Sequence, residues 1–194
     1  MPDEHLRIAV NIGSTREGRF APTVANWFTG EARKRSDLDV DLIDLADLPL
    51  PVGLGSTPPP SAQRAAGELS ERLDSADGFV IVVPEYNHSF PAVLKSAIDW
   101  NYTQWQAKPI GFVSYGGRAG GIRAVEQLRQ VFCEMHAITI RDNISFHGAA
   151  SQFGTDGRPL DTADCEAATE VMLDQLTWWT VTLREARAKR PYKA

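Results

Sequence analysis

The sequence has few of the residues on which disulfide scaffolds and metal centres depend. Its 194 residues include two cysteines and four histidines. A chain of this length can bury enough apolar surface to fold without disulfides. Cys133 and Cys165 do not form a C-x-x-C pair, so both are predicted to be ordinary helical residues. The histidines lack metal-ligand spacing, and no G-x-S-x-G motif for a nucleophilic serine occurs.

Long apolar runs and a surplus of positive charge are also missing. No run approaches ~18 apolar residues, and Met1–Arg7 lacks the apolar segment of a signal peptide. The sequence therefore predicts no membrane span and a cytoplasmic location. The formal net charge is −5, whereas nucleic-acid binding requires an excess of lysine and arginine. An anionic small ligand is compatible with this charge, because one arginine-containing loop can hold it.

What the sequence does contain is an alternation of short apolar runs with segments of helical periodicity. A hydrophobic fraction of 43% and the absence of internal repeats predict one domain over residues 1–194. The predicted strands are Leu6–Ile12, Asp39–Leu45, Gly78–Val83, Pro109–Ser114 and His136–Ile140. Five helices are predicted. The first begins near Phe20, the second runs from an N-cap at Ser61 to Ala76, the third from Ala92 to Trp100 and the fourth from Ile122 to Met135. The fifth follows a cap at Asp161.

This alternation predicts an α/β fold. The expected architecture is a flavodoxin-like three-layer sandwich, in which a five-stranded parallel sheet of order 2-1-3-4-5 carries helices on both faces. Ligands of such sheets bind beyond the carboxyl ends of the strands. The loops after the first, third and fourth strands should therefore be chemically unusual. The proline-rich stretch Leu48–Pro60 is predicted to be a long ordered loop within the domain.

The loop after the first strand, Gly13–Arg19, favours a bound phosphate. Its glycines allow an anion to approach the backbone, and a helix N-terminus follows. Ser14 and Thr15 can donate hydroxyl hydrogen bonds, whereas Arg16 and Arg19 can form charge-assisted ones. A surface turn with solvated arginines is the alternative interpretation.

Two common nucleotide motifs are absent from this loop. Arg19 and Phe20 stand where a nucleotide triphosphatase needs lysine and then serine or threonine. Ser14 and Thr15 interrupt the G-x-G-x-x-G pattern of dinucleotide-binding folds. The loop therefore predicts a terminal monophosphate held without a metal ion.

The other two loops favour a planar heterocycle. Residues Pro84–Pro91 combine an aromatic ring and an amide between two prolines, which suits a flat ligand with a polar edge. Residues Ser114–Gly121 contain Gly-Gly twice, so their amides can reach the carbonyl edge of a heterocycle, although a flexible turn would have the same composition. One phosphate and one large ring together match FMN.

Three segments resemble the NADPH-dependent FMN reductase family. They are GSTREGR after the first strand, PEYNHSFPAVLKSAIDW after the third and SYGGRAGGIRAVEQLR after the fourth. The resemblance spans residues 7–140 and implies a flavodoxin-like fold, FMN as cofactor, NADPH or NADH as electron donor and a homodimer or homotetramer. The acceptors that it implies are small molecules such as flavins, quinones, azo compounds and chromate.

The resemblance also implies which residues hold the cofactor. Arg19 and Ala21 depart from the pattern, because many members have serine and asparagine there. The implied FMN contacts are Ser14, Thr15, Arg16, Arg19 and Phe20 at the phosphate, and Pro84, Glu85, Tyr86, Asn87, Ser114, Tyr115, Gly116 and Gly117 at the isoalloxazine ring.

The cofactor would supply the chemistry by ping-pong hydride transfer, so no catalytic acid or base is predicted. A flavodoxin-like electron carrier without its own NAD(P)H turnover is the alternative function, and the mild net charge of −5 disfavours it. A flavin-free binding module is a third interpretation. Aromatic residues near Phe90–Trp100, Tyr102–Trp105 and Trp178–Trp179 either complete the core or form a subunit interface.

Replacing Arg16 with alanine tests the phosphate assignment. Loss of a charge-assisted hydrogen bond to phosphate costs ~1.5–3 kcal/mol, so FMN affinity should fall by ~10–100-fold. Titration of the protein with FMN, followed by flavin fluorescence, measures this change. An unchanged affinity would show that Arg16 does not hold the phosphate.

Overall fold

A single parallel sheet organises the computed structural model, which describes residues 5–51 and 57–193. The strands are β1 Leu6–Ile12, β2 Leu38–Asp44, β3 Gly78–Pro84, β4 Pro109–Gly116, β5 Ile138–Thr139 and β6 Ile144–His147. The helices are α1 Ala21–Ala32, α2 Pro60–Ser75, α3 Ala92–Asp99, α4 Ile122–Glu134 and α5 Thr162–Lys189. Short 3-10 turns lie at Thr103–Trp105 and Ala149–Ser151.

The strand order is β2-β1-β3-β4-β5, which confirms the flavodoxin-like topology. The strand predicted over His136–Ile140 is shorter than expected, because only Ile138–Thr139 pairs with the start of β4. His136 has a φ of 57°, a turn conformation that ends α4 rather than beginning a strand. β6 then pairs with the end of β4, from Val113 to Gly116, and completes this edge of the sheet.

Both faces of the sheet are covered by helices. One core layer joins the sheet to α1 and α5, and the other joins it to α2, α3 and α4. Side chains of β1 alternate between the layers: Ile8 and Val10 face α1 and α5, whereas Ala9 faces the opposite side. Every residue of β3 is buried, as its unbroken apolar sequence predicts.

The starts of α5 and α2 can be compared with the N-cap residues predicted for them. Asp161 caps α5, as predicted, by accepting a hydrogen bond from the Asp164 amide at 3.4 Å. The predicted Ser61 cap is wrong, because α2 begins at Pro60 and its N-cap is Pro59, two residues before Ser61 and without a side-chain hydrogen bond to the described residues. Proline has the fixed φ of a first helical residue and no amide hydrogen to satisfy, so Pro60 begins the helix without a cap.

The remaining predictions concern single segments. Cys133 and Cys165 lie in α4 and α5 as unpaired helical residues, as predicted. Part of the expected loop Leu48–Pro60 falls at residues 52–56, outside the described residues. None of the helices described is long and apolar enough to cross a membrane.

Lys108, the residue before β4, is buried, and its pKa is lowered. Its Nζ donates to the carbonyl oxygens of Leu73 and Asp74, both at 2.9 Å, and lies 5.4 Å from the Phe79 ring centre. Burial, with a smaller contribution from Arg187, lowers the pKa of Lys108 to about 8. Between this value and the ordinary 10.5, the unfolded chain holds a proton that the folded chain has lost.

The free energy of unfolding should therefore rise with pH over this window because of Lys108. Relative to Lys108→Met, we expect the wild type to gain up to about 3 kcal/mol between pH 8 and pH 10.5. Urea denaturation at a series of pH values measures the difference. The exposed Lys189→Met variant is the control, and parallel pH profiles for wild type and Lys108→Met would contradict the assignment.

Candidate flavin site

The three loops predicted to carry function meet at the carboxyl ends of β1, β3 and β4. We call them the first loop (residues 13–20), the second loop (residues 84–91) and the third loop (residues 114–121). The Ser14 and Tyr86 hydroxyls share a hydrogen bond of 2.6 Å, which joins the first loop to the second. The Glu85 amide donates to the Tyr115 carbonyl oxygen at 3.2 Å, which joins the second loop to the third.

The first loop presents a row of unpaired backbone amides. The Gly13 amide still forms a hydrogen bond to the sheet, because it donates to the Val82 carbonyl oxygen of β3 at 2.9 Å. The amides of residues 14–18 make no hydrogen bond with the part of the chain that the structure describes. Gly18 has a φ of +65°, and no atom lies within 4 Å of where its Cβ would stand. The loop is therefore open and rich in donors, as an anion site requires.

The two arginines of the first loop have different roles. Arg19 donates to both carboxylate oxygens of Asp44 at 2.6 Å and also to the Ser14 carbonyl oxygen, so it ties the loop to the end of β2. Arg16 is exposed, makes no ion pair with any described residue, and lies 5.9 Å from the Tyr86 ring centre. Arg16 is thus the guanidinium of this loop that is available to an anion.

The remaining residues predicted at the phosphate differ in exposure. Thr15 is exposed beside Arg16, whereas Ser14 is buried and bonded to Tyr86. Phe20 is half-buried, and its ring meets Tyr115 and Phe153 edge-on, with centroids 6.2 and 5.4 Å away. Phe20 therefore anchors the end of the first loop to the third loop and to the segment after β6.

The second loop makes a tight turn that α4 holds in place. Tyr86 and Ser89 exchange backbone hydrogen bonds of 2.8 and 3.0 Å around Asn87 and His88, whose φ values of 48° and 72° are left-handed. Gln127 of α4 accepts from Ser89 Oγ at 2.6 Å and donates to the His88 carbonyl oxygen at 2.8 Å. This turn leaves Asn87 exposed at the edge of the site.

Glu85 carries a buried oxygen that lacks a partner. Its side chain is 8% exposed, and Oε1 pairs with Arg123 at the start of α4. Oε2 has no hydrogen-bond partner among the described residues. Because an unpaired buried acceptor costs free energy, a donor from a bound molecule would stabilise this arrangement.

The third loop begins on buried polar groups and ends on glycines. Ser114 Oγ donates to the Gly120 carbonyl oxygen at 2.8 Å. Burial, and next the neighbouring Tyr86, raise the pKa of Tyr115, so its hydroxyl stays protonated at neutral pH. A Cβ on Gly116 would lie 3.3 Å from the Gly121 amide nitrogen, whereas one on Gly117 would meet no atom within 4 Å. Gly117 therefore borders open space.

Several residues that hold these loops were not predicted from the sequence. Asp44 is the last residue of β2, in which aspartates alternate with apolar residues, and it lies within the predicted strand Asp39–Leu45. Gln127 lies on α4, inside the third segment that resembles the family, but it was not assigned a role there, and Ser145 and His147 lie on β6, outside all three segments. They act on the site only because the fold brings these elements to the same edge of the sheet.

The Asp44–Arg19 pair should contribute measurably to stability. We expect Asp44→Asn to lower the free energy of unfolding by about 1.5–3 kcal/mol, since bidentate hydrogen bonds between charged groups are lost in a mostly buried setting. Chemical denaturation measures this loss. The more exposed Asp41–Arg72 pair is the control, and Asp41→Asn should cost less than ~1 kcal/mol. Equal losses in both variants would contradict a special role for Asp44.

Comparison with known proteins gives the family of this chain. The sequence profile of the family described as NADPH-dependent FMN reductase matches residues 6–151. An NAD(P)H-dependent FMN reductase of Schizosaccharomyces pombe is 37% identical over 140 residues, which cover 68% of this chain and 70% of that protein. A quinone reductase of Escherichia coli is 31% identical over 179 residues, covering 90% and 91% of the two chains.

A solved structure gives the same fold. The flavoenzyme NAD(P)H:(acceptor) oxidoreductase of Paracoccus denitrificans superposes with a TM-score of 0.70 at 21% identity, over 90% of this chain and 97% of that one. The matched profile covers all three loops of the candidate site and every described strand of the sheet. The chain therefore belongs to the NADPH-dependent FMN reductase family.

Proposed function

We propose that the chain transfers electrons from NADPH or NADH to small acceptors, such as a flavin, a quinone or an azo compound, through FMN held at the carboxyl edge of the sheet. As a family member, the chain is an oxidoreductase with FMN as cofactor and NAD(P)H as electron donor. The observation that carries the placement of FMN is the set of unpaired hydrogen-bonding groups gathered at this edge.

The first loop fits the phosphate of FMN. The amides of residues 14–18 supply backbone donors beside the start of α1, and Arg16 supplies a positive charge; none of these groups is paired within the described residues. Thr15 adds an exposed hydroxyl. Arg19 also fixes the shape of the loop through its bonds to Asp44 and the Ser14 carbonyl oxygen.

The second and third loops fit the isoalloxazine ring. Tyr86 offers a partly exposed aromatic side chain, and Gly117 leaves the space beside the third loop open. Glu85 Oε2 needs a hydrogen-bond donor, which FMN has in its ribityl hydroxyls and ring N–H. The proposed contacts are Ser14, Thr15, Arg16, Arg19, Phe20, Pro84, Glu85, Tyr86, Asn87, Ser114, Tyr115, Gly116 and Gly117.

When bound, FMN would supply the electron-transfer chemistry between NAD(P)H and the acceptor. The protein's own groups orient the cofactor and stabilise charge. The free backbone amides of the third loop would stabilise the negative charge that the cofactor gains on reduction. Burial raises the pKa of Tyr115, so this side chain brings no charge to the site. No side chain of the site is required as a general acid or base.

We further propose that the enzyme works in the cytoplasm as a homodimer or homotetramer. Trp105 is buried in the core, but Tyr102 is 48% and Trp178 is 59% exposed. Large exposed aromatic side chains are typical of subunit interfaces. Light scattering after size-exclusion chromatography tests the assembly, and a monomer at micromolar concentration would contradict it.

The decisive experiment is an absorbance titration of the purified protein with FMN, followed by anaerobic addition of NADPH or NADH. We expect bound flavin bands that bleach with at least one nucleotide and return when a quinone is added. FMN that binds without bleaching would favour the electron carrier. A protein that binds no FMN would contradict the proposed function and leave only the fold.

A further inference from the structure

The backbone carbonyl groups of the third loop are held by β6 and the residue after it. This strand lies outside the three loops and contributes no residue to the proposed contacts. The hydrogen bonds run from the Gly148 amide to Gly117 O, from His147 Nδ1 to Arg118 O and from Ser145 Oγ to Gly120 O, each at 2.8 Å. Three carbonyl oxygens of one short loop thus face the same neighbour.

Fixing these carbonyl groups also fixes the amides that follow them. In a trans peptide the C=O and the next N–H point in opposite directions. The amides of Arg118, Ala119 and Gly121 therefore point away from β6, and none of them bonds another group in residues 5–51 or 57–193. β4 lies between β6 and β3, so the second loop, which follows β3, borders the third loop on the side opposite β6.

The approach of β6 to the loop is close and depends on Gly120. A Cβ at this position would lie 2.5 Å from Ser145 Oγ and 2.6 Å from His147 Cδ2, and the φ of +57° is left-handed. Ser145 Oγ and Ser114 Oγ both donate to the Gly120 carbonyl oxygen, so this peptide is held from two strands. Packing this tight fixes the orientation of the peptide.

We propose that Ser145 and His147 are positioning residues for the flavin site, which hold the third loop so that its free amides face the cofactor. The proposal rests on the proposed function, because it assumes that FMN lies at these loops. Since a carbonyl oxygen only accepts, His147 Nδ1 carries the hydrogen of its bond to Arg118 O. Ser145 likewise donates its one hydroxyl hydrogen to Gly120 O.

Correct orientation of these amides has an electronic consequence. Reduction makes the cofactor more electron-rich, and N–H donors fixed against it stabilise the reduced form more than the oxidised form. If Ser145 or His147 is truncated, both FMN affinity and the flavin reduction potential should therefore fall. A residue that only supported folding would lower stability without moving the potential.

The experiment compares Ser145→Ala and His147→Ala with the wild type. We expect the FMN dissociation constant to rise about 3- to 10-fold in each variant, since one neutral hydrogen bond contributes ~0.5–1.5 kcal/mol. The flavin reduction potential should become more negative. Fluorescence titration measures the first quantity and anaerobic redox titration the second, and urea denaturation of the FMN-free protein checks its stability.

Conservative variants separate hydrogen bonding from packing. Ser145→Thr keeps the hydroxyl and Ser145→Val does not, although threonine and valine have nearly the same shape, so only the threonine variant should retain affinity and potential. This pair also serves if an alanine variant fails to fold. His147→Asn keeps an N–H donor near the Nδ1 position and should recover most of the loss. Ser75→Ala removes a hydroxyl-to-carbonyl bond at the end of α2 and is the matched control.

The outcomes separate this inference from the proposed function. A wild type that binds no FMN would remove both. A wild type that binds FMN, with Ser145→Ala and His147→Ala unchanged in dissociation constant and potential, would overturn the inference alone. Equal losses in Ser145→Thr and Ser145→Val would also overturn it, because packing rather than the hydroxyl would then be responsible. Selective loss in Ser145→Val, with recovery in His147→Asn, would support it.

Discussion

The site depends on one constraint, the burial of β3 and β4 between two layers of helices. Their side chains are buried on both faces, so polar groups are displaced to the ends of the strands. The parallel arrangement brings the carboxyl ends of β1, β3 and β4 to one edge, and the three loops must meet there. The apolar core thus determines where polar chemistry can occur, while the loop sequences determine what that chemistry is.

The charged and hydrogen-bonding groups at this edge fall into two sets: one set holds the loops, and the other is available to a ligand. Arg19, Gln127 and Arg123 are engaged with protein groups, and each links a loop to the neighbouring element. Arg16, Glu85 Oε2 and the free loop amides have no such partners in the described chain. Engaged groups make the loops rigid, and rigidity lowers the entropy that a ligand must otherwise overcome on binding.

Most of the fold could be predicted from local patterns, and the exceptions have physical causes. β3 and β4 were recognised because fully buried strands are continuously apolar, and α5 because an aspartate caps it. β6 was missed because it is only four residues long, which is too short for the alternation of Ser145 and His147 with apolar residues to stand out. The Ser61 cap was wrong because Pro60 begins α2 without one. The proposed FMN contacts stay predictions.

The sequence by itself determined the order of strands and helices, the three loops and the family, because apolar periodicity, glycine placement and loop motifs are local properties. Only the tertiary structure decided which arginine of the first loop is free and which acceptor on Glu85 is unpaired. It also showed that β6 holds the carbonyl groups of the third loop. These features join residues 25 or more positions apart, and such contacts leave no mark in the local sequence of either partner.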